Sequence, residues 1–282
     1  MLESSKTLRE RVMGSAAKCL AVLKLVLIER LVYRLNFFLQ VLSGVLTSLI
    51  IIFLWMAVYR GNSVSSLGGY TMPEMITYLL GGGLINTFIL TTAENNETSQ
   101  TIADGTLSGL LVQPFSPYWV WFFRDMGTKL FLFLLGLAGY GVVFLFFRDF
   151  LIFPGSPDRW LLFAIAVALG VLLQFLLFES LSLLAFWVEN TYGIRFTMRV
   201  ILEVTGGAII PLSFFPSILQ AFFFALPFPY LIYLPMTIYL GKTPADEVAG
   251  ALVRMGFWIA GLAVINAVLW RRGVRRYVAM GD

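Results

Sequence analysis

The sequence contains no histidine and a single cysteine, Cys19, in 282 residues. One thiol excludes an internal disulfide. Without imidazole, a soft-metal site of Cys and His ligands cannot be assembled, nor can a nucleophile–histidine catalytic pair. Charge is the third scarcity. Asp, Glu, Lys and Arg make up 13% of the chain and apolar residues 59%, whereas a soluble globular chain carries about 25% charged residues. This balance points to an all-α integral membrane protein. Each span needs about 20 apolar residues, so there is room for roughly six or seven spans and for no sizeable soluble domain. No internal repeat of solenoid length is visible, and nucleic acid is not an expected partner.

The few charges sit where they are informative. Residues 1–34 carry Lys6, Arg9, Arg11, Lys18, Lys24, Arg30 and Arg34 against Glu3, Glu10 and Glu29, and the far end carries Arg271, Arg272, Arg275 and Arg276. Excess Lys and Arg marks the cytoplasmic side. Both termini are therefore expected in the cytoplasm, which requires an even number of spans. Leu20–Ile28 is too short to cross and is interrupted by Lys24. Residues 1–34 read as a cytoplasmic or interfacial basic helix with its cations at lipid phosphates, not as a cleavable signal.

Six spans follow, at about 35-59, 73-92, 126-147, 160-184, 196-214 and 249-270, and residues 271-282 form a basic cytoplasmic tail. Thr71 and Pro73 start the second span, with Glu74 suited to its N-terminus through the helix dipole. Gly81-Gly82-Gly83 permits close helix packing. Tyr118–Phe123 reads as an interfacial aromatic belt, with Arg124, Asp125 and Lys129 on the same side. Glu179, Arg195, Arg199 and Glu203 read as a structural charge ladder, Glu179 and Glu203 both pairing with Arg199. Val204–Gly241 holds no charge over 38 residues. As one helix it would measure about 57 Å, nearly twice the hydrocarbon thickness, and its prolines break it. Two full spans there would strand four arginines outside. The segment is therefore expected to fold back as short re-entrant helices on the outer side, a gate built on Pro211, Phe214, Phe215, Pro216, Phe224, Pro227 and Phe228.

Between the second and third spans lies a polar island, Ala93–Ser116. Glu94–Thr101 is polar on every face. Asp104-Gly105 makes a break, Thr106 is placed to cap a new short helix, and Pro114 ends it. On that helix Leu107, Leu110 and Leu111 fall at i, i+3 and i+4, one apolar stripe. With Thr101 and Ile102 they form a candidate coupling interface, a short cytoplasmic helix offering leucines to a partner. Two other signals are discounted. Gly241-Lys242-Thr243 resembles the end of a phosphate loop, but its first glycine would fall at Met236. Asn96-Glu97-Thr98 is a glycosylation sequon on the cytoplasmic side.

Gly105-Thr106-Leu107, Leu110-Leu111 and Pro114-Phe115-Ser116 together resemble the segment after the second span of type-two ABC exporter permeases. A second block is similar to the C-terminal half of a bacterial branch of that family. It runs from Ala185-Phe186-Trp187 through Gly206-Gly207-Ala208, Ile210-Pro211-Leu212, Phe214-Phe215-Pro216 and Leu226-Pro227-Phe228 to Tyr233-Leu234-Pro235 and Leu240-Gly241. The resemblance implies a six-span permease subunit in the bacterial inner membrane, usually encoded in pairs. It implies cytoplasmic ABC ATPase subunits as partners and a second permease, identical or related. No ATP-binding motif lies in this chain, so it is not expected to be an enzyme or to hold a cofactor, and ATP and Mg would sit in the partner. Charge-poor, aromatic spans suggest a lipophilic or amphipathic cargo. The alternatives are an ion-driven secondary transporter, which would need mid-span acids, and a membrane assembly factor that transports nothing.

Overall fold

The structure is a computed structural model describing residues 22–31, 34–62, 65–113 and 116–279. Among these residues every regular element is helical. The long helices are α2 (Arg34–Asn62), α3 (Met72–Ile89), α6 (Pro117–Phe146), α7 (Pro157–Ser182) and α11 (Ala245–Ala279). Shorter ones are α1 (22–31), α4 (Glu97–Ala103), α5 (Leu107–Leu111), α8 (Tyr192–Thr205), α9 (Ser217–Phe224) and α10 (Tyr233–Tyr239). Among the described residues, five helical stretches are long and apolar enough to cross a membrane, beginning at Leu35, Met72, Pro117, Pro157 and Ala245.

α3 is the central helix, packing against α2, α6, α7 and α10. Met75, Ile76, Tyr78, Leu80 and Ile89 on it are almost fully buried. Its glycines let neighbours approach. A Cβ on Gly83 would lie 2.7 Å from the hydroxyls of Ser48 and Tyr140, and one on Gly81 would meet the Met236 side chain at 2.7 Å. Its start is fixed as the sequence implies: the Glu74 carboxylate accepts from the Thr71 amide at 2.7 Å and from its hydroxyl at 3.0 Å.

The bundle has two unlike ends. At the proline-rich end, the loop before α3 meets residues 208–244. Ser213 donates to the Gly68 carbonyl (2.8 Å), and Lys242 donates to that of Gly69 (2.7 Å) and pairs with Glu74 (2.9 Å). Lys242 is thus committed to structure. At the basic end lie α1, α4, α5, the start of α8 and the last turns of α11.

Several boundaries differ from the sequence expectation. α6 starts nine residues before 126, because extended Ser116 and Pro117 at the first turn launch the helix there. The aromatic stretch Tyr118–Phe123 is therefore helical. α11 runs unbroken to Ala279 with Asp246 and Glu247 in its first turn and Arg276 in its last, charges that suit the helix dipole. Residues 271–279 are thus the end of this helix and not a separate tail. α8 differs most. It has 14 residues, about 21 Å of helix, and ends at Gly206-Gly207 instead of reaching 214. Gly207 has φ +79° and its carbonyl accepts from the Tyr78 hydroxyl at 2.6 Å. From there the chain continues without an α-helix to Ser213 at the proline-rich end.

Candidate functional site

The site is built where the polar island meets the ends of α7 and α11. α4 stops at Ala103 and the chain turns through Gly105, which has φ +75°. A side chain is strained in that left-handed conformation. Thr106 does not cap α5 as expected. Its backbone is already helical, so its hydroxyl points back and donates to the Thr101 carbonyl at 3.3 Å. Thr101 in turn donates to the Glu97 carbonyl at 2.8 Å. α5 ends at Leu111, and Pro114, expected to end it, lies outside the described residues.

The three leucines are not one stripe facing a partner. Leu107 is fully buried, in a cluster with Ile102, Trp121, Leu183 and Phe186. Leu110 is half-buried and packs against this cluster, as do Trp270, Val274 and Tyr277. Leu111 is 37% exposed and Val112 85% exposed. The reason is tertiary. The end of α11 crosses under α5: the Tyr277 hydroxyl donates to the Gly105 carbonyl and accepts from the Ser108 amide at 3.3 Å. With α11 on that side, Leu107 lies inward while Leu111 and Val112 lie outward. The close approach between α11 and residues Leu183–Phe186 requires Gly273, where a Cβ would collide with the Phe186 ring.

Charged groups tie this assembly to the spans. Arg124 of α6 bridges Glu97 of α4 (2.6 Å) and Glu29 of α1 (2.9 Å), and Arg30 donates to Thr128 at 3.2 Å. Burial lowers the Arg30 pKa from its ordinary value, the nearby Glu97 opposing that. Lys129 is fully buried, paired with Asp125 and donating to Gln174 of α7.

The expected charge ladder divides. Arg195 is buried and its guanidinium donates to the carbonyls of Ala93 (2.9 Å), Thr92 (3.4 Å) and Phe178 (3.1 Å) and to the Ser182 hydroxyl. It joins the turn that follows α3 to the last part of α7. Glu179 does not pair with Arg199. Thr98 donates to one of its oxygens at 3.2 Å, and it borders the same small cavity as Arg195, about 30 Å³. Arg199 and Glu203 lie one and two turns further along α8 and pair with each other at 3.4 Å.

At the opposite end, each of the three phenylalanines expected in the gate packs against another ring. Phe214 lies against Trp55 (ring centroids 4.9 Å) and over Gly68, Phe215 against Phe223 (5.3 Å), and Phe224 against Tyr233 (5.7 Å). Pro211 and Pro227 are buried, Phe228 is half-buried and Pro216 exposed.

One feature of the spans escapes a reading based on charge alone. Gln40, Ser43 and Thr47 are exposed on α2, with Gly44 and Ser48 beside them. Their spacing of three and four places them on one helical face, and that spacing is the signal that reveals them. Among the described residues, no group of three Asp, Glu, Cys or His side chains is placed to hold a metal ion.

No curated protein and no solved structure matches the chain significantly. The model of one family, described as ABC-2 family transporter protein, matches residues 45–281. That match takes in every element from mid-α2 onward, including the α5 assembly and the proline-rich end. The chain therefore belongs to the ABC-2 family of transporter proteins, as the multi-pass membrane component and not the ATPase of an ABC transporter.

Proposed function

We propose that the chain is the membrane-spanning subunit of an ATP-driven exporter in the inner (plasma) membrane, coupled through α5 to a separate cytoplasmic ATPase that holds ATP and Mg. The observation that carries this reading is the orientation of α5. Its inner face is locked by Leu107 and Tyr277, while Leu111 and Val112 project from the basic end. A rigidly held helix with apolar residues outward can receive a push and pass it on. The push would reach the spans through Arg124, which grips Glu97 of α4 from α6, and through Arg195 between α3 and α7. Nucleotide then biases a two-state equilibrium of the spans.

In this reading the chain crosses six times, with both termini cytoplasmic. The fifth crossing is α8 plus residues 206–213, which together lead from the carbonyl of Ala93 to that of Gly68. The non-helical half of that crossing is covered by Tyr78 and Tyr233, as irregular backbone at membrane depth must be. Residues 208–244 form the outer gate. A second permease, identical or related, faces this one around a pathway for an amphipathic cargo.

The test is recovery of the ATPase with the full-length chain from native membranes. An apolar side chain contributes about 1.5–3 kcal/mol when fully buried, so Leu111→Asp with Val112→Asp should weaken docking by about tenfold or more. Membrane insertion should be unchanged. Unchanged ATPase recovery, normalised to inserted protein, would remove α5 from the interface.

A further inference from the structure

A cavity of about 770 Å³ lies at the proline-rich end, between the start of α11, α9, α10 and the loop before α3. That volume is in the range of small-molecule sites. Phe224, Tyr230 and Tyr233 give it aromatic walls, and Leu234 and Ala251 give it aliphatic ones. Its charged side chains are Lys242, Glu247 and Arg254.

Lys242 is committed. Its ammonium donates to the Gly69 carbonyl (2.7 Å), pairs with Glu74 (2.9 Å) and sits 4.5 Å from the centre of the Tyr70 ring. Glu247 and Arg254 are not committed. Both are exposed, and among the described residues neither side chain makes an ion pair or a hydrogen bond. They stand seven residues apart on α11, about 10 Å along its axis. The Arg254 guanidinium folds back toward Glu247 and lies 3.7 Å from where a Cβ on Gly250 would stand.

The surroundings of Arg254 narrow the ligand. Val253 and Phe257 on the same helix are strongly exposed, and α11 is long and apolar enough to be a span. An arginine among such residues turns its charge to water or to an anionic head group. A purely anionic amphiphile would satisfy Arg254 but bring its charge toward Glu247. A purely cationic one would do the reverse. A head group with both charges satisfies both. The order along the helix fits as well. From Phe257 through Arg254 to Glu247 the residues pass from apolar to cationic to anionic. A zwitterionic phospholipid passes from tail through phosphate to ammonium, and a guanidinium fork matches phosphate oxygens.

We infer that this cavity binds the head group of a zwitterionic amphiphile of phospholipid type, its phosphate on Arg254 and its ammonium toward Glu247. The inference goes beyond the coupling reading and stands without it, because it needs only that α11 crosses the membrane.

The test uses the purified full-length chain in dodecyl maltoside. In a Cys19→Ser background, cysteine replaces Ala225 at the cavity wall or, as a control at the other end of the bundle, exposed Val112. Modification by N-ethylmaleimide, an uncharged reagent, is timed. Three probes share the detergent's dodecyl tail and are added as a minor fraction of the micelle. Dodecylphosphocholine should slow modification of Ala225→Cys several-fold and leave Val112→Cys unchanged. Dodecyl phosphate and dodecyltrimethylammonium should protect far less. Adding Arg254→Gln removes charge-assisted hydrogen bonds, so about tenfold or more dodecylphosphocholine should be needed for the same protection. Adding Glu247→Gln should let dodecyl phosphate protect as well as the zwitterion. Glycerophosphocholine, the same head without a tail, should not protect; protection by it would assign the cavity to a soluble zwitterion and overturn the amphiphile. Equal slowing at Val112→Cys, no protection by dodecylphosphocholine, or equal protection by a singly charged probe with both residues present would overturn the inference. So would protection that survives Arg254→Gln, or a Glu247→Gln variant that still rejects dodecyl phosphate. Ala221→Cys, also at the cavity wall, repeats the measurement should Ala225→Cys fail to fold or to react.

Discussion

The two ends of the bundle solve opposite problems with similar side chains. At the proline-rich end, Phe214, Phe215 and Phe224 each find an aromatic neighbour and the loops lock together through Ser213 and Lys242. The loops are closed upon one another, although α9 leaves Ile218 and Phe222 exposed. At the basic end, α5 is fastened on one side only. Leu107 and Phe186 are buried, yet Leu111 and Val112 stand free. The first arrangement suits a plug whose contacts must part within one subunit. The second suits a handle, firmly attached behind and available in front.

The largest effects should separate the back of the handle from its front. Leu107→Ala should cost about 2–5 kcal/mol, as for other buried leucines. Val112→Ala should stay within about 0.5 kcal/mol. Thermal unfolding of the detergent-solubilised chain measures both, and equal melting temperatures would break the comparison. Next comes Gly273→Ala, whose methyl group would enter the Phe186 ring. Overpacking of this kind costs about 1–3 kcal/mol. It should lower ATPase coupling as well as stability, because it pushes α11 away from α5.

Where the chain leaves α8 toward the proline-rich end, Gly207→Ala should cost about 1–3 kcal/mol through its positive φ and through crowding of the Tyr78 hydroxyl, 2.7 Å from the added carbon. It should reduce export with ATPase recovery untouched; lost recovery would mean that the two ends are not independent. The smallest change is Lys242→Met. Its pair with Glu74 is partly exposed, about one fifth on each side, so the loss should be at most about 1 kcal/mol and weaker in high salt.

Much of the architecture is legible in the sequence, and for identifiable reasons. Long, predominantly apolar runs mark α2, α3, α6, α7 and α11, because each crossing needs about 20 such residues. Asp104-Gly105 marks the break before α5 because few residues accept its φ. The prolines of 211–235 mark a segment that cannot be one helix. What the sequence conceals is set by distant partners. Leu107, Leu110 and Leu111 are equivalent by spacing, and residues far along the chain, Leu183 and Phe186 around Leu107 and Tyr277 at Gly105, accompany the one that faces inward. Arg195, Arg199 and Glu203 step evenly, but Arg195 meets the turn after α3 and the last part of α7 while the next two face a cavity. Asp125 and Lys129 stand at i and i+4 on α6, but the bond from Lys129 to Gln174 of α7 is one that no local pattern announces. The polar face of α2 is different. It is written at helical spacing, and the absence of charge is what hides it.

Val112 and Ile218 permit the most direct test. Both are apolar, both stand almost free at 85% and 81% exposure, and they lie at opposite ends of the bundle. A benzoylphenylalanine photocrosslinker replaces each in turn in the full-length chain, and native membranes are irradiated. The account predicts an adduct with the ATPase from position 112 and none from position 218. An ATPase adduct from 218, or none from 112 with the ATPase still bound, would contradict it.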